Sequence, residues 1–403
     1  MPLAGGSVVA SAVSSGVASS VSNAAAHVVS NVAALMAALM AALMAALAVP
    51  LVLGLLALLA APLPVLAHGL APEPRSTADV LLAWSFEAHV WLPLLAAGLL
   101  YRAGVRRIAR EHPANPVPRW RAWCWYGGLA VLLVALESPI AAYDTTLFSV
   151  HMVQHLLLTL VAAPLLALGA PITLLLRVSS PRVRRGAILP LLHSFPVRVL
   201  SFPVLTWLLF AAVMWASHFS SLFDAALESE PTHVFEHALF LGVAMLFWWP
   251  VVGADPSPWR LPHPARLAYL FLGMPQSSFL GLAILSAPTA LYPHYATLAR
   301  DWGPTPLADQ QLAGAIMWAG GDLLFLTGLI LALWVWLRAE EAEGRRSDAR
   351  LDRERARDER ERARTARDER EWARTAREPL PAAQRSLPAP PLARDAPGAS
   401  TDR

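Results

Sequence analysis

HMVQHLLLTLVAAPLLALGAP, residues 151–171, places two histidines four apart at the head of a long apolar run. On an α-helix, positions i and i+4 share one face, one turn apart. The apolar run continues to about residue 176, long enough to cross the hydrocarbon core of a bilayer. The stretch reads as a membrane helix with an imidazole pair at its mouth. The pattern returns in HVFEHALFLGVAMLFWWP, residues 233–250.

Working outward from these two segments, apolar runs predict spans over 84–101, 120–140, 151–176, 199–217, 233–252, 266–287 and 310–337. The chain is 56% apolar and only 15% charged, which fits an all-α, polytopic transmembrane helix bundle of seven spans. An N-terminal signal peptide or signal-anchor helix precedes them. Residues 1–67 are low in complexity and repeat AALM three times across 33–44. Val65-Leu66-Ala67 resembles a signal-peptidase site, so a cleaved signal and a retained first helix both remain open. Residues 68–338 form the membrane domain. Residues 339–378 are a charged tail containing RDERERARTA and then RDEREWARTA, and they lack the apolar stripe of a packing helix. A solvated helix or a disordered segment is expected there, and residues 379–403 are Pro-rich and expected to be disordered.

Charge sets the expected orientation. The connection 102–121 carries Arg102, Arg106, Arg107, Arg110, Arg119 and Arg121, and 177–198 carries five more arginines. The alternate connections 141–150, 218–232 and 288–309 hold one arginine, Arg300. By the positive-inside rule this predicts a cell (inner) membrane protein with its histidine-rich end outside and its C-terminus in the cytoplasm. The bilayer is its expected surroundings, and no nucleic-acid partner is expected. The chain has no lysine, which excludes a retinal Schiff base, and its single cysteine, Cys124, excludes an internal disulfide and a CxxC metal motif.

Of the twelve histidines, eight fall on or near the expected outer side. His151 and His155 head one span, His233 and His237 head another, and His218 closes the span between them. His68, His89 and His294 lie nearby in sequence. Imidazole is a nitrogen ligand suited to copper, zinc and haem iron, so two pairs converging between helices would make a metal site. The candidate ligands are His151, His155, His218, His233 and His237, with His68, His89, Met152 and Glu236 as weaker candidates. Glu236 adjoins His237 and could orient it. Met152, Met214, Met274 and Met317 offer soft sulfur to Cu(I), although methionines more often fill gaps in membrane helices. If cleavage follows Ala67, the amine and imidazole of His68 could together chelate Cu(II). Asp322 lies deep in the last span, where a carboxylate is costly, and reads either as a relay or as a helix–helix hydrogen bond.

HMVQHLLLTLVAAPLLALGAP, HVFEHALFLGVAMLFWWP and LADQQLAGAIMWAGGD (307–322), with YRAGVRR (101–107), resemble the bacterial CtaG family, in its branch associated with caa-type cytochrome c oxidases. The resemblance covers roughly residues 80–338. It implies a multi-span assembly factor for cytochrome c oxidase that helps copper reach the copper B centre, with oxidase subunit I as the expected partner. It implies no enzymatic activity. Carried over by position, the motif histidines are His151, His155, His233 and His237, with His218 closing the fourth span and Asp309 and Gln310 in the late motif. Other classes use the same residue types. A bis-histidine haem b cytochrome, an integral-membrane zinc hydrolase and a copper transporter are the alternatives, and the absence of HEXXH counts against the hydrolase.

Overall fold

A computed structural model describes residues 76–375, and every regular element among them is helical. The signal-peptidase motif, His68 and the Pro-rich end lie outside the described residues. The main helices are α1 (Ala88–Glu111), α2 (Arg119–Tyr143), α3 (Phe148–Val178), α4 (Pro203–His218), α5 (Ser221–Glu228), α6 (Glu230–Val252), α7 (His263–Leu285) and α8 (Pro306–Thr375). Six of them are long and apolar enough to cross a membrane. A seventh crossing results if α4 and α5, bent by 69° where they meet, count as one. This is a multi-span membrane protein.

Hydrogen bonds between distant segments fix the two ends of the bundle. At one end Glu87 N–H donates to Glu137 Oε2, and Tyr292 O–H donates to the His218 carbonyl. At the other, the Trp259 indole donates to the Arg198 carbonyl, and Asp255 accepts from the start of Pro171–Val178. The first is the histidine end and the second the arginine end. α1 continues past residue 101, where the apolar run stops, through Arg102, Arg106, Arg107 and Arg110 to Glu111. Arginine is a good helix former and carries its charge to the membrane surface on a long stem, so the helix outlasts its hydrophobic stretch.

α3 sits centrally, packed against α1, α2, α6 and the first part of α8. Its irregularities follow from the sequence. Pro164 has no N–H to donate to the carbonyl a turn earlier. The helix widens into a π-turn over Leu157–Ala162, and the Ala163 N–H reaches back to the Leu158 carbonyl. That leaves the Thr159 carbonyl for the Trp248 indole N–H of α6, at 2.9 Å. The defect made by one proline is therefore the point at which α3 and α6 are tied. The same two helices also contribute Ala163, Phe240, Val243 and Ala244, all almost fully buried, to one apolar core.

α7 and α8 approach more closely still. A side chain at Gly314 would lie 2.6 Å from the Leu285 amide nitrogen, and one at Gly281 would lie 2.8 Å from that of Trp318. Close backbone contact through small residues is how helices associate where water supplies no hydrophobic drive. The chain divides into two compact units, Met1–Trp334 and Val335–Arg403. Within the second, the charged repeats are helical as far as Thr375, with nearly every side chain exposed.

Candidate metal centre

The two imidazole pairs meet because α3 and α6 pack side by side with their N-termini at the histidine end. Within the pairs, ring centroids are 4.1 Å apart for His151 and His155 and 4.2 Å for His233 and His237. Between helices, His151 is 5.3 Å from His233, and His155 is 5.9 Å from His237. Glu236 reaches into the same space. Its Oε2 lies 3.9 Å from His151 Nε2 and 4.0 Å from His155 Nε2. Glu236, a weaker ligand candidate in the sequence and an expected orienter of His237, thus stands beside the α3 histidines instead.

The surroundings are dry. His151 and Glu236 have no exposed surface, and Phe223 and Phe240, equally buried, pack against the rings. Phe223 belongs to α5, so the bend after His218 lays an aromatic ring over the cluster. The Ser220 hydroxyl accepts the Leu222 N–H and starts that short helix. In this setting both nitrogens of His151, both of His155 and both carboxylate oxygens of Glu236 lack a hydrogen-bond partner among the described residues. Each unsatisfied buried polar group costs about 1–3 kcal/mol, and a charged one more. A cation drawing on these donors would remove that penalty.

Two further imidazoles have their tautomers set by neighbours. His218 Nδ1 lies 2.7 Å from the Met214 carbonyl, which can only accept, so Nδ1 donates and the lone pair sits on Nε2. Gln154 works similarly on His237. Its amide nitrogen donates to the Ala135 carbonyl at 2.9 Å and to Asp144 Oδ2 at 2.7 Å. The amide oxygen must then face His237 Nε2, at 2.9 Å, and accept its proton. The His237 lone pair is left on Nδ1. Asp144 Oδ2 also lies 3.9 Å from His233 Nε2. Burial pushes the Asp144 carboxyl up to about 7, against the pull of the Gln154 amide.

One ligand atom from each of His151, His233 and Glu236 falls within 4.8 Å of the others, and the same holds for Asp144, His233 and His237. His233 belongs to both sets. A third set, Glu87, His89 and Glu230, is half-buried and opens with Asp144, His233 and His237 onto one cavity of about 410 Å3. His89 is thus apart from the central cluster, with its Nε2 3.3 Å from Glu87. His218 is at its edge, 6.1 Å from His155. Met152 lines a different, smaller cavity. His294 Nε2 bonds the Thr145 carbonyl.

The other motif residues hold the frame. Asp309 accepts from Phe148 N–H, Ser149 N–H and the Ser149 hydroxyl, and so caps α3. Gln310 accepts from Leu291 N–H and donates to the Thr289 carbonyl. Asp322 accepts from the Ser278 hydroxyl at 2.8 Å, the helix–helix bond of the two readings open for it. Gln154 and Asp144 were not among the expected site residues. Gln154 lies one turn from His151 on the same face, which is the signal that could have found it.

A multi-span helical membrane protein, with buried histidines and carboxylates at metal-ligand spacing near one end, is the class these features define. The model of the cytochrome c oxidase caa3 assembly factor family, Caa3_CtaG, matches residues 99–339, and the chain belongs to that family. Uncharacterized proteins of Mycobacterium bovis and Mycobacterium tuberculosis are each 33% identical to it over 288 residues, 70% of this chain and 43% of theirs. One of Mycobacterium leprae is 31% identical over 289 residues. The chain spans less than half the length of these relatives. No solved structure matches it.

Proposed function

We propose that this protein is a membrane assembly factor for cytochrome c oxidase, and that it carries copper to the copper B centre in oxidase subunit I. Copper is cargo here, and the protein catalyses no reaction. The carrying observation is that the buried nitrogens of His151 and His155 and the oxygens of Glu236 have no hydrogen-bond partner among the described residues, and that His233 and His237 lie beside them. Nitrogen and carboxylate donors suit a divalent first-row ion, and imidazole suits copper. Family membership supports the oxidase as client. The arginine asymmetry supports an outer position for the histidine end and a cytoplasmic C-terminus. The cavity of about 410 Å3 gives an approach past Glu87, His89 and Glu230 to His233 and His237. A donor must release its metal, and an open approach on one side allows ligand exchange with a client.

The test is metal content and the absorption spectrum of the purified protein, for wild type and a His151→Ala/His155→Ala double variant. Near-stoichiometric copper, lost in the variant, is expected. Haem bands would overturn the reading in favour of a membrane cytochrome. Copper-replete cells lacking the protein are expected to assemble oxidase deficient in copper B, and a fully loaded oxidase would refute the client assignment.

A further inference from the structure

A second, smaller cavity lies among α3, α4, α7 and α8, beside the cluster already described. Its volume is about 20 Å3, and Met152, His155, Met214, His218, Gln276 and Met317 are among its lining residues. That is room for a single atom-sized guest. Its lining is unusual on three counts. Five methionines occur among the described residues, and three of them, from three different helices, line this one space. His155 and His218 line it too. Both are more than nine-tenths buried, both nitrogens of His155 lack a partner, and so does His218 Nε2, the nitrogen that carries that ring's lone pair. Finally, no carboxylate lines it.

A packing gap filled by flexible side chains accounts for the methionines alone. It does not account for two buried imidazoles in the lining with ring nitrogens that lack a hydrogen-bond partner among the described residues, each such group costing about 1–3 kcal/mol. The helix defects also converge here. Thr159 and Leu160 of the α3 π-turn line the cavity, as does Met317 of a second π-turn over Ile316–Gly320 in α8. Such turns frequently mark functional positions in helices.

We infer that this cavity is a binding site for a soft monovalent cation, Cu(I), held by the thioethers of Met152, Met214 and Met317 and the imidazoles of His155 and His218. The chemistry of the lining selects the ion. Thioether and imidazole are neutral, soft to borderline donors and suit Cu(I). A divalent ion buried there would keep an uncompensated second charge in a dry interior. The cluster with Glu236 and Asp144 supplies anionic ligands and the cavity does not, so the two places sort copper by charge. His155 belongs to both. This inference rests on the copper-carrying reading above.

The experiment is Cu(I) titration of the purified protein under reducing conditions, in competition with a chromogenic Cu(I) chelator, with X-ray absorption at the copper edge. Sulfur scattering is expected in the wild type. Met214→Leu/Met317→Leu conserves volume. It is expected to lose that scattering and to weaken Cu(I) binding by about tenfold or more, while Cu(II) binding stays at the wild-type level. Wild-type copper bound by nitrogen and oxygen alone, and lost in His151→Ala/His155→Ala, would overturn this inference and leave the carrier reading standing. No copper in either oxidation state would overturn both. The wild-type spectrum reads the sulfur ligands directly, so the test holds even where the variant fails to fold.

Discussion

Asp309 and Glu236 are both acidic, both at the histidine end, and both almost wholly buried, yet their surroundings are opposite. Asp309 accepts three hydrogen bonds from Phe148 and Ser149 and has Arg300 4.0 Å away. Glu236 accepts none among the described residues and faces two imidazoles at 3.9 and 4.0 Å. A buried carboxylate whose lone pairs are all used is part of the frame. One left open carries a desolvation cost that its own fold does not repay, and the proposed metal site would account for it. Asp255 repeats the first case at the arginine end. It accepts from Ile172 N–H, Thr173 N–H and the Thr173 hydroxyl just where Ala170 takes a left-handed conformation, φ 52°.

The largest effect expected from this contrast is on stability. Asp309→Ala removes the cap of α3 and strands two backbone donors, at a cost of about 3 kcal/mol. The thermal midpoint should fall by several degrees in detergent, while copper bound per folded molecule stays at the wild-type value. Glu236→Gln should do the reverse. The metal-free protein should be no less stable, because glutamine keeps the shape of a side chain whose oxygens already lack a hydrogen-bond partner among the described residues. Copper affinity should drop about 10- to 100-fold. If Glu236→Gln unfolds the protein and leaves binding intact, the distinction between frame and site is wrong at its centre.

Gln154 tests the layer between the two. It touches no proposed metal position, yet it bonds the Ala135 carbonyl, Asp144 and His237 together. Gln154→Leu should lower copper affinity about tenfold by freeing the His237 ring. It should also destabilise the protein by about 1–2 kcal/mol through the partners left unpaired. Gln154→Glu should restore the bond to His237 and part of the affinity, which a purely structural role would not predict.

Much of this was legible in the sequence, for reasons the structure makes plain. Six of the seven expected spans come through because a bilayer demands long apolar runs, while the run at 199–217 forms the short α4, a crossing only if counted with α5; the histidine pairs come through because i, i+4 spacing is local. What stayed hidden depends on contacts across the chain. Asp144 meets Gln154 ten residues away but His233 only through the fold. Asp309 caps a helix 160 residues earlier. Glu236 reads as a weaker ligand candidate and as an orienter of His237, and only the fold shows that it faces His151 and His155 of α3. The end of α1 was missed for a different reason, since hydropathy reports where apolar residues stop and not where the helix does.

Asp322 is the intermediate case, and the smallest effect belongs to it. It has one partner, the Ser278 hydroxyl, within 2.8 and 2.9 Å of its two oxygens. A hydroxyl donates equally well to an amide oxygen, so Asp322→Asn keeps the bond between α7 and α8. The thermal midpoint should move by less than about 1 kcal/mol in free-energy terms, and copper affinity should not move at all. Asp322→Leu should cost more, because Ser278 loses that acceptor, although its one hydroxyl proton can turn to the Met274 carbonyl, 2.9 Å away. Should Asp322→Asn instead slow copper loading while leaving stability alone, its charge would matter beyond the bond it makes. Asp322 would then belong with Glu236 as a residue kept for function, and counting satisfied lone pairs would no longer separate frame from site.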